Sequence, residues 1–211
     1  MDKSQQAHLI GQLKEVSFPT LGHFLEDGFA DSQLRAMVPG VKLVGRAVTL
    51  SLRGADAIAV NQALALLQPG DVLVIDTGGD LRHAPVGAVT SCAARCAGAV
   101  GIVVDGVVTD LLELREAGLP VFARGTSLLT TKLHGRGDSP INQPIHCAGV
   151  VVHPGDLVLA DDNGVLFLDL KTAAQVIEQA LASDRIEPQL LERLCAGEPV
   201  AQVLSVVTHQ Q

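Results

Sequence analysis

Short apolar runs alternate with helical segments through the middle of the chain, and this order limits the folds that it can adopt. Val72–Ile75 and Gly101–Val104 are uninterrupted apolar runs, which are typical of strands buried on both faces of a sheet. Helical patterns follow at Val86–Ala97 and Asp110–Ala117. Because parallel neighbours need a crossover between them, this order predicts an α/β fold with a partly parallel sheet and right-handed crossovers.

The same turn chemistry starts two strands, because Pro-Gly-Asp precedes the apolar part of both Pro69–Asp76 and Pro154–Asp161. An ancient duplication is the alternative explanation. A β-hairpin region is expected over residues 141–152. The length of 211 residues suits one domain, which we place at 1–211, with a core over about 15–170 and a helical tail over about 171–211.

Composition argues against several classes of partner. The net charge is −8 and the chain has no Trp or Tyr, which opposes nucleic-acid binding. No apolar run reaches 18 residues and no signal peptide begins the chain, so we expect no membrane association and a cytoplasmic location. The four cysteines form no C-x-x-C pair and are expected to stay reduced.

A polar loop over Asp80–Gly87 lies between a predicted strand and a predicted helix. A helix N-terminus offers free N–H groups to an anion, Arg82 could add charge, and His83 could move protons. The alternative is an ordinary strand-to-helix loop with a solvated Arg-His pair. The backbone donors expected to hold a carboxylate are those of Ala88, Val89 and Thr90.

Two acids, Asp110 and Glu113, follow the second apolar run. If a helix begins near Asp110, this spacing places both carboxylates on one helical face at the carboxyl edge of the sheet. Hard divalent cations prefer such oxygen ligands. The alternative is that both acids only favour a helix start. Asp105, which precedes Gly106, is expected to form a turn that ends the strand.

Other motifs are weaker. His23 is expected to be structural, and His134, His146 and His153 do not have zinc-ligand spacing. The sequence contains no phosphate-binding loop, no dinucleotide fingerprint after a strand and no G-x-S-x-G nucleophile elbow.

A set of motifs in one order gives the chain a family resemblance over roughly residues 15–170. It resembles the RraA-like family, which joins the class II 4-hydroxy-4-methyl-2-oxoglutarate / 4-carboxy-4-hydroxy-2-oxoadipate aldolases and the regulator of RNase E activity A. The motifs are Gly45–Thr49, Pro69–Asp71, Gly79–Asp80, His83–Gly87, Gly101–Gly106, Gly118–Gly125 and Gly149–Gly164.

The resemblance implies a swivelling β/β/α domain, a homotrimer or hexamer, and active sites between subunits. In the aldolases, Mg²⁺ or Mn²⁺ polarises a small anionic 2-oxo acid so that a pyruvate enolate forms. By resemblance, Asp110 is the metal ligand, Glu113 helps to hold the metal's water shell, and the amides over Gly87–Thr90 bind the substrate carboxylate. Any acid that a neighbouring subunit contributes stays unassigned, with Glu178, Glu187 and Glu192 as candidates.

Thr109 departs from the family pattern, because the aldolases carry Arg before the metal-binding Asp. A threonine hydroxyl has no charge with which to bind substrate or stabilise an oxyanion. Arg82 or His83 could compensate from the neighbouring loop. Three functions therefore remain open: a metal-dependent lyase, a non-catalytic regulator of a ribonuclease, and a different reaction on a related small acid.

Overall fold

A seven-stranded mixed sheet organises the computed structural model, which describes residues 3–204. The helices are α1 (Lys3–Glu15), α2 (Phe18–Leu21), α3 (Ala57–Leu64), α4 (Ala88–Cys96), α5 (Leu111–Ala117), α6 (Leu170–Cys195) and α7 (Val200–Val203). The strands are β1 (Arg35–Ala36), β2 (Leu43–Ser51), β3 (Asp71–Asp76), β4 (Gly101–Val108), β5 (Val121–Thr126), β6 (Ile145–Cys147), β7 (Val150–Val152), β8 (Leu157–Asp161) and β9 (Gly164–Leu168).

The sheet order is β1-β5-β4-β3-β2-β8-β9. The four central strands, β2 to β5, are parallel and follow one another in chain order. Each is joined to the next through one of the helices α3, α4 and α5. The outer strands β1, β8 and β9 pair antiparallel. The α/β fold with a partly parallel sheet, expected from the sequence, is therefore confirmed.

Burial of both faces explains the uninterrupted apolar run of β3. Leu73 and Ile75 pack in the core that α3, α4 and α5 share with the sheet. The alternate residues Val72 and Val74 point to the opposite face, where the β6–β7 hairpin covers them. A helical layer, the main sheet and a second small sheet are thus stacked, as in the β/β/α domain that the resemblance implied.

The terminal helices cover the antiparallel side of the sheet. Leu13 of α1 and Ile177 of α6 pack against β8 and β9 residues in a third core cluster. The α6 helix continues through Pro188, so the predicted tail helix is confirmed to Cys195. Residues 205–211, the last part of the tail expected to be helical, lie outside the described residues, as do residues 1 and 2. Between residues 3 and 204, no helix is both long and apolar enough to cross a membrane.

The predicted turn at Asp105 and Gly106 is wrong, because β4 continues to Val108 with a register shift between Val104 and Val107. The Asp105 carboxylate accepts hydrogen bonds from Arg124 Nε (2.5 Å) and from the backbone N–H of Ala148 (2.6 Å). Gly106 serves close packing instead, since a Cβ built there would stand 2.7 Å from Thr77 Cγ2. These tertiary contacts outweigh the turn preference of the dipeptide.

Candidate functional site

The loop before α4 lies against the carboxyl ends of the central strands. Val86 forms an isolated parallel bridge with Val108, and the Thr109 N–H donates to the Val86 carbonyl at 2.9 Å. On the other side of the loop, the Ala84 N–H donates to the carbonyl of Leu129 at 2.8 Å. The loop is therefore an extended segment held at the edge where parallel α/β sheets bind ligands.

Asp110 adopts a left-handed backbone conformation, with φ 55° and ψ 45°, and α5 begins only at Leu111. The expectation that Asp110 and Glu113 lie on one regular helical face is therefore wrong. Instead, Asp110 Oδ2 accepts a hydrogen bond from the backbone N–H of Ala88 at 2.9 Å. The Thr109 hydroxyl lies 3.3 Å from Asp110 Oδ1. Asp110 thus connects the end of β4 to the N-terminus of α4.

Gly87 makes this approach possible for a steric reason. A Cβ built at Gly87 would stand 2.4 Å from Asp110 Oδ2 and 2.8 Å from Thr109 Cγ2. Its φ of −144° is open to any residue, so glycine is required by space and not by backbone conformation. Gly87, Ala88, Thr109 and Asp110, four of the residues expected at the site, are therefore brought together.

The N-terminus of α4 keeps donors for an anion. Its N-cap residue is Gly87, which has no side chain to accept a hydrogen bond from the first turn. Ala88 already donates to Asp110, which leaves the N–H groups of Val89 and Thr90 without an intrahelical acceptor. The Val89 side chain is 84% exposed, so the first turn is open to solvent. Two backbone donors and the positive helix end therefore remain for a carboxylate.

The donor set at this position fits a hydrated divalent cation. An anionic ligand on α4 would lie beside the negative Asp110, and a cation between them would remove the repulsion. Magnesium is often held by one or two carboxylates and several waters. Glu113 lies exposed in the first turn of α5, where it could hold such a water. Over residues 3–204, no group of three His, Cys, Asp or Glu side chains forms a complete metal site.

His83 has a defined partner. Its Nδ1 lies 2.7 Å from Asp80 Oδ2, and both side chains are 31% exposed. Burial acts to raise the pKa of Asp80, but hydrogen bonds from the Arg82 backbone and from His83 outweigh it, so this pKa lies below its ordinary value. A carboxylate at Nδ1 fixes the ring orientation and leaves Nε2 to exchange a proton.

Arg82 is held through its backbone. Its N–H donates to Asp80 Oδ1 at 2.8 Å, and its carbonyl accepts from the Ser127 hydroxyl at 2.6 Å. The side chain is exposed, and its guanidinium forms no hydrogen bond or ion pair within the described part of the chain. Arg82 therefore lies on the same loop as His83, but its charge is not brought to Asp110.

Arg124 is near this edge of the sheet but is already paired. Its Nη1 lies 3.0 Å from Asp31 Oδ2, in addition to the contact with Asp105. The hydrogen bond with Asp105 is the main cause of the raised pKa of Arg124, opposed by burial and aided by Asp31. This guanidinium is thus held in two ion pairs, with Asp105 and Asp31, and does not replace the positive charge of the arginine for which Thr109 stands.

A cavity of about 290 Å³ opens beside the His83 ring. The sequence did not single out Asp80, Lys132 or His134 as parts of one site, and His134 had been considered only for zinc spacing. No local sequence pattern connects these residues, because the cavity forms where the ends of two strands meet a loop that is distant in sequence. The cavity is lined by Leu52, Gly54, Ala55, Thr77, Asp80, His83, Lys132 and His134.

Comparison with known proteins places these features in context. A family model described as RraA-like, Aldolase/RraA, matches residues 19–167. A protein of Halalkalibacterium halodurans, named "Putative 4-hydroxy-4-methyl-2-oxoglutarate aldolase", is 35% identical over 149 residues, which are 71% of this chain and 70% of the relative.

Two solved structures are also similar. Streptomyces coelicolor RraAS2, described as an unusual member of the RNase ES inhibitor RraA family, aligns with a TM-score of 0.76 and 28% identity, covering 88% of this chain and 98% of that one. The RNA-processing inhibitor RraA from Thermus thermophilis aligns with a TM-score of 0.64 and 30% identity, covering 72% and 92%. The similarity therefore includes proteins named for catalysis and proteins named for regulation.

Proposed function

Because the chain belongs to the RraA-like family, we propose that it is a divalent-metal-dependent carbon–carbon lyase acting on a small 2-oxo or hydroxy acid. The reaction class is retro-aldol cleavage or decarboxylation. The observation that carries the proposal is the Asp110 carboxylate at the open N-terminus of α4, in a space that Gly87 keeps free. A protein that served only as a scaffold would not need a carboxylate at the end of the helix where anions bind.

The roles of the chain's residues follow from this arrangement. Asp110 would hold Mg²⁺ or Mn²⁺, with Glu113 on its water shell. When bound, the cation supplies positive charge against the oxyanion that develops as the carbon–carbon bond breaks. The N–H groups of Val89 and Thr90 bind the carboxylate of the substrate and orient its reacting carbons.

His83 moves the proton in this proposal. Cleavage of a 4-hydroxy-2-oxo acid requires removal of a hydroxyl proton, and the pyruvate carbon must later be protonated. Asp80 holds Nδ1 of His83, so that Nε2 can take and return a proton. Thr109 offers only a hydroxyl where the aldolases carry Arg, and its 3.3 Å contact with Asp110 steadies the carboxylate instead.

We further propose that the site is completed in a homotrimer or hexamer. Large apolar side chains are exposed on the elements around it, which predicts a partner surface. Glu187 and Glu192 are exposed acids on α6 that a neighbouring copy could contribute. Glu178 is a weaker candidate, because its Oε1 accepts from Gln12 at 2.6 Å within the same chain. The exposed apolar residues are Leu81 (55%), Val89 (84%), Leu112 (70%), Leu128 (99%) and Leu133 (73%).

Thr109 supports a second candidate, a non-catalytic regulator of a ribonuclease. Without the arginine, the transition state would lose a charged donor, and a family member could keep the fold and a binding surface alone. A different reaction on a related acid is the third possibility that this substitution leaves.

Pyruvate release separates these functions. The purified protein is incubated with oxaloacetate or a branched 4-hydroxy-2-oxo diacid and Mg²⁺ or Mn²⁺, with a chelated sample as the control. The lyase releases pyruvate only with metal, and Asp110→Asn abolishes the release. Thr109→Arg is expected to raise the aldol rate by roughly tenfold or more, the value of one charged hydrogen bond. Absence of turnover in both the native protein and Thr109→Arg, together with capture of a purified ribonuclease by the native protein, would favour the regulator.

A further inference from the structure

The cavity beside His83 is separate from the N-terminus of α4. Its walls come from the segments after β2 and β3, from the loop that carries His83, and from the segment around Lys132. Neither Gly87 nor Asp110 lines it. Gly87 is four positions after His83 in the chain, so their Cα atoms lie at most about 14 Å apart. The two places are therefore distinct and close.

A buried carboxylate fixes one wall of this cavity. Asp56 is 1% exposed, and its oxygens accept from the backbone N–H groups of His134 (3.1 Å), Gly135 (3.0 Å) and Arg136 (2.7 Å). It also accepts from Ile58 N–H at 3.0 Å, which caps α3. Asp56 therefore holds the segment that carries His134 against the start of a helix almost eighty residues earlier.

The backbone next to Asp56 is paired with the same segment. The Lys132 N–H donates to the Ala55 carbonyl at 2.9 Å, and the Ala57 N–H donates to the Lys132 carbonyl at 2.8 Å. Ala55 has a φ of 52°, a conformation that costs an alanine free energy and persists where the surroundings impose it. This strained backbone and the Asp56 contacts give Lys132 and His134 a rigid base.

The charges around the cavity favour an anion. Asp80 is the acidic group in its lining, and this carboxylate is already bound by the His83 ring and by two backbone N–H groups. Lys132 and His134 also line the cavity and add donors. The Arg136 guanidinium covers Gly54 at the rim, since a Cβ built at Gly54 would stand 2.7 Å from Arg136 Nη1.

We propose that this cavity is a second anion-binding site, in which Lys132 and His134 bind a carboxylate and Arg136 stands at the entrance. A volume of about 290 Å³ accommodates an acid of a few carbons. The carboxylate comes either from the remote end of the substrate or from a separate small acid. The first source rests on the proposed lyase function, whereas the binding site itself does not.

Direct binding tests the site without turnover. Succinate is titrated into the metal-free protein by calorimetry, with Lys132→Met and His134→Gln as test variants. Lys171→Met removes another exposed lysine, in α6, and is the matched control. We expect a dissociation constant at least about tenfold higher for Lys132→Met and an unchanged one for Lys171→Met. Equal affinity in all variants, or no binding by the native protein at millimolar succinate, would overturn the proposal.

Kinetics with metal identify the source of the carboxylate. If the substrate's remote carboxylate binds here, Lys132→Met raises KM for a 4-hydroxy-2-oxo diacid and leaves KM for its monocarboxylic analogue unchanged. If a separate acid binds, succinate affinity falls and both KM values stay constant. Loss of succinate binding in Lys132→Met, in a protein that shows no turnover with any acid, would support the site while the lyase function fails.

Discussion

Gly87→Ala tests whether the space beside Asp110 is functional. The added methyl group would stand 2.4 Å from Asp110 Oδ2 and 2.8 Å from Thr109 Cγ2. Ordinary carbon–oxygen contact begins near 3.4 Å, so the carboxylate must move by about 1 Å. This displacement breaks its 2.9 Å hydrogen bond with the Ala88 N–H.

The effect on activity should exceed the effect on stability. Catalytic groups must be held within about 0.5 Å of their productive positions, and a misplacement of about 1 Å can lower the rate about a hundredfold. We therefore expect kcat/KM for pyruvate release to fall about a hundredfold in Gly87→Ala. The free energy of unfolding should fall by only about 1 kcal/mol, because one solvent-facing hydrogen bond is lost and no core residue moves.

A second glycine provides the control. Gly125 lies in β5 with no atom within 4 Å of a Cβ built on it and without a positive φ. Gly125→Ala should therefore keep both activity and stability. Metal-dependent pyruvate release and urea unfolding are measured on the two variants side by side. Activity in Gly87→Ala equal to that of Gly125→Ala would show that the Asp110 carboxylate tolerates displacement and that the space beside it is not needed for catalysis.

Three further predictions concern polar groups. Backbone N–H donors hold the pKa of Asp56 below the ordinary 3.8 despite opposing burial, so its contribution to stability is present above about pH 4 and is lost as the pH falls through the folded-state pKa. The difference in urea midpoint between native protein and Asp56→Asn should accordingly shrink on acidification, and a difference that grows would contradict this sign. Ser91 Oγ is fully buried without a hydrogen-bond partner among the described residues, so Ser91→Ala should be neutral or stabilise by up to about 1 kcal/mol in thermal unfolding; a clear loss would reveal a partner. Asp184 accepts hydrogen bonds from the Ser17 N–H at 2.6 Å and from the Thr20 hydroxyl. Asp184→Ala should therefore lower the free energy of unfolding in urea by about 1 kcal/mol, and an unchanged value would mean that these two hydrogen bonds are dispensable.

Local pattern was sufficient for the central sheet and for the hairpins. The runs Val72–Ile75 and Gly101–Val104 could be recognised because a strand buried on both faces has no polar alternation. The end of β4 could not be predicted in this way. Asp105 and Gly106 have turn chemistry, and only the remote partners Arg124 and Ala148 keep them in a strand.

The candidate site also contains some features that local sequence predicts and others that depend on remote contacts. Residues near one another in sequence, such as Gly87 and Ala88, were predicted from the order of loop and helix. The left-handed backbone of Asp110 was not, because few residues other than glycine adopt it and no local signal marks it. That Lys132 and His134 line a cavity with His83 was not predicted, because their positions depend on contacts with Asp56 and its neighbours, about eighty residues earlier in the chain.

Binding of Mn²⁺ is the sharpest test of the proposed metal site at Asp110, because it needs neither a substrate nor a partner protein. Electron paramagnetic resonance measures the free Mn²⁺ as the native protein or Asp110→Asn is added, with Asp138→Asn, which changes an exposed acid in the segment between β5 and β6, as the control. The account predicts saturable binding by the native protein and by Asp138→Asn, and at least about a tenfold weaker affinity in Asp110→Asn, which lacks the direct ligand. Equal affinity in all three proteins would contradict it.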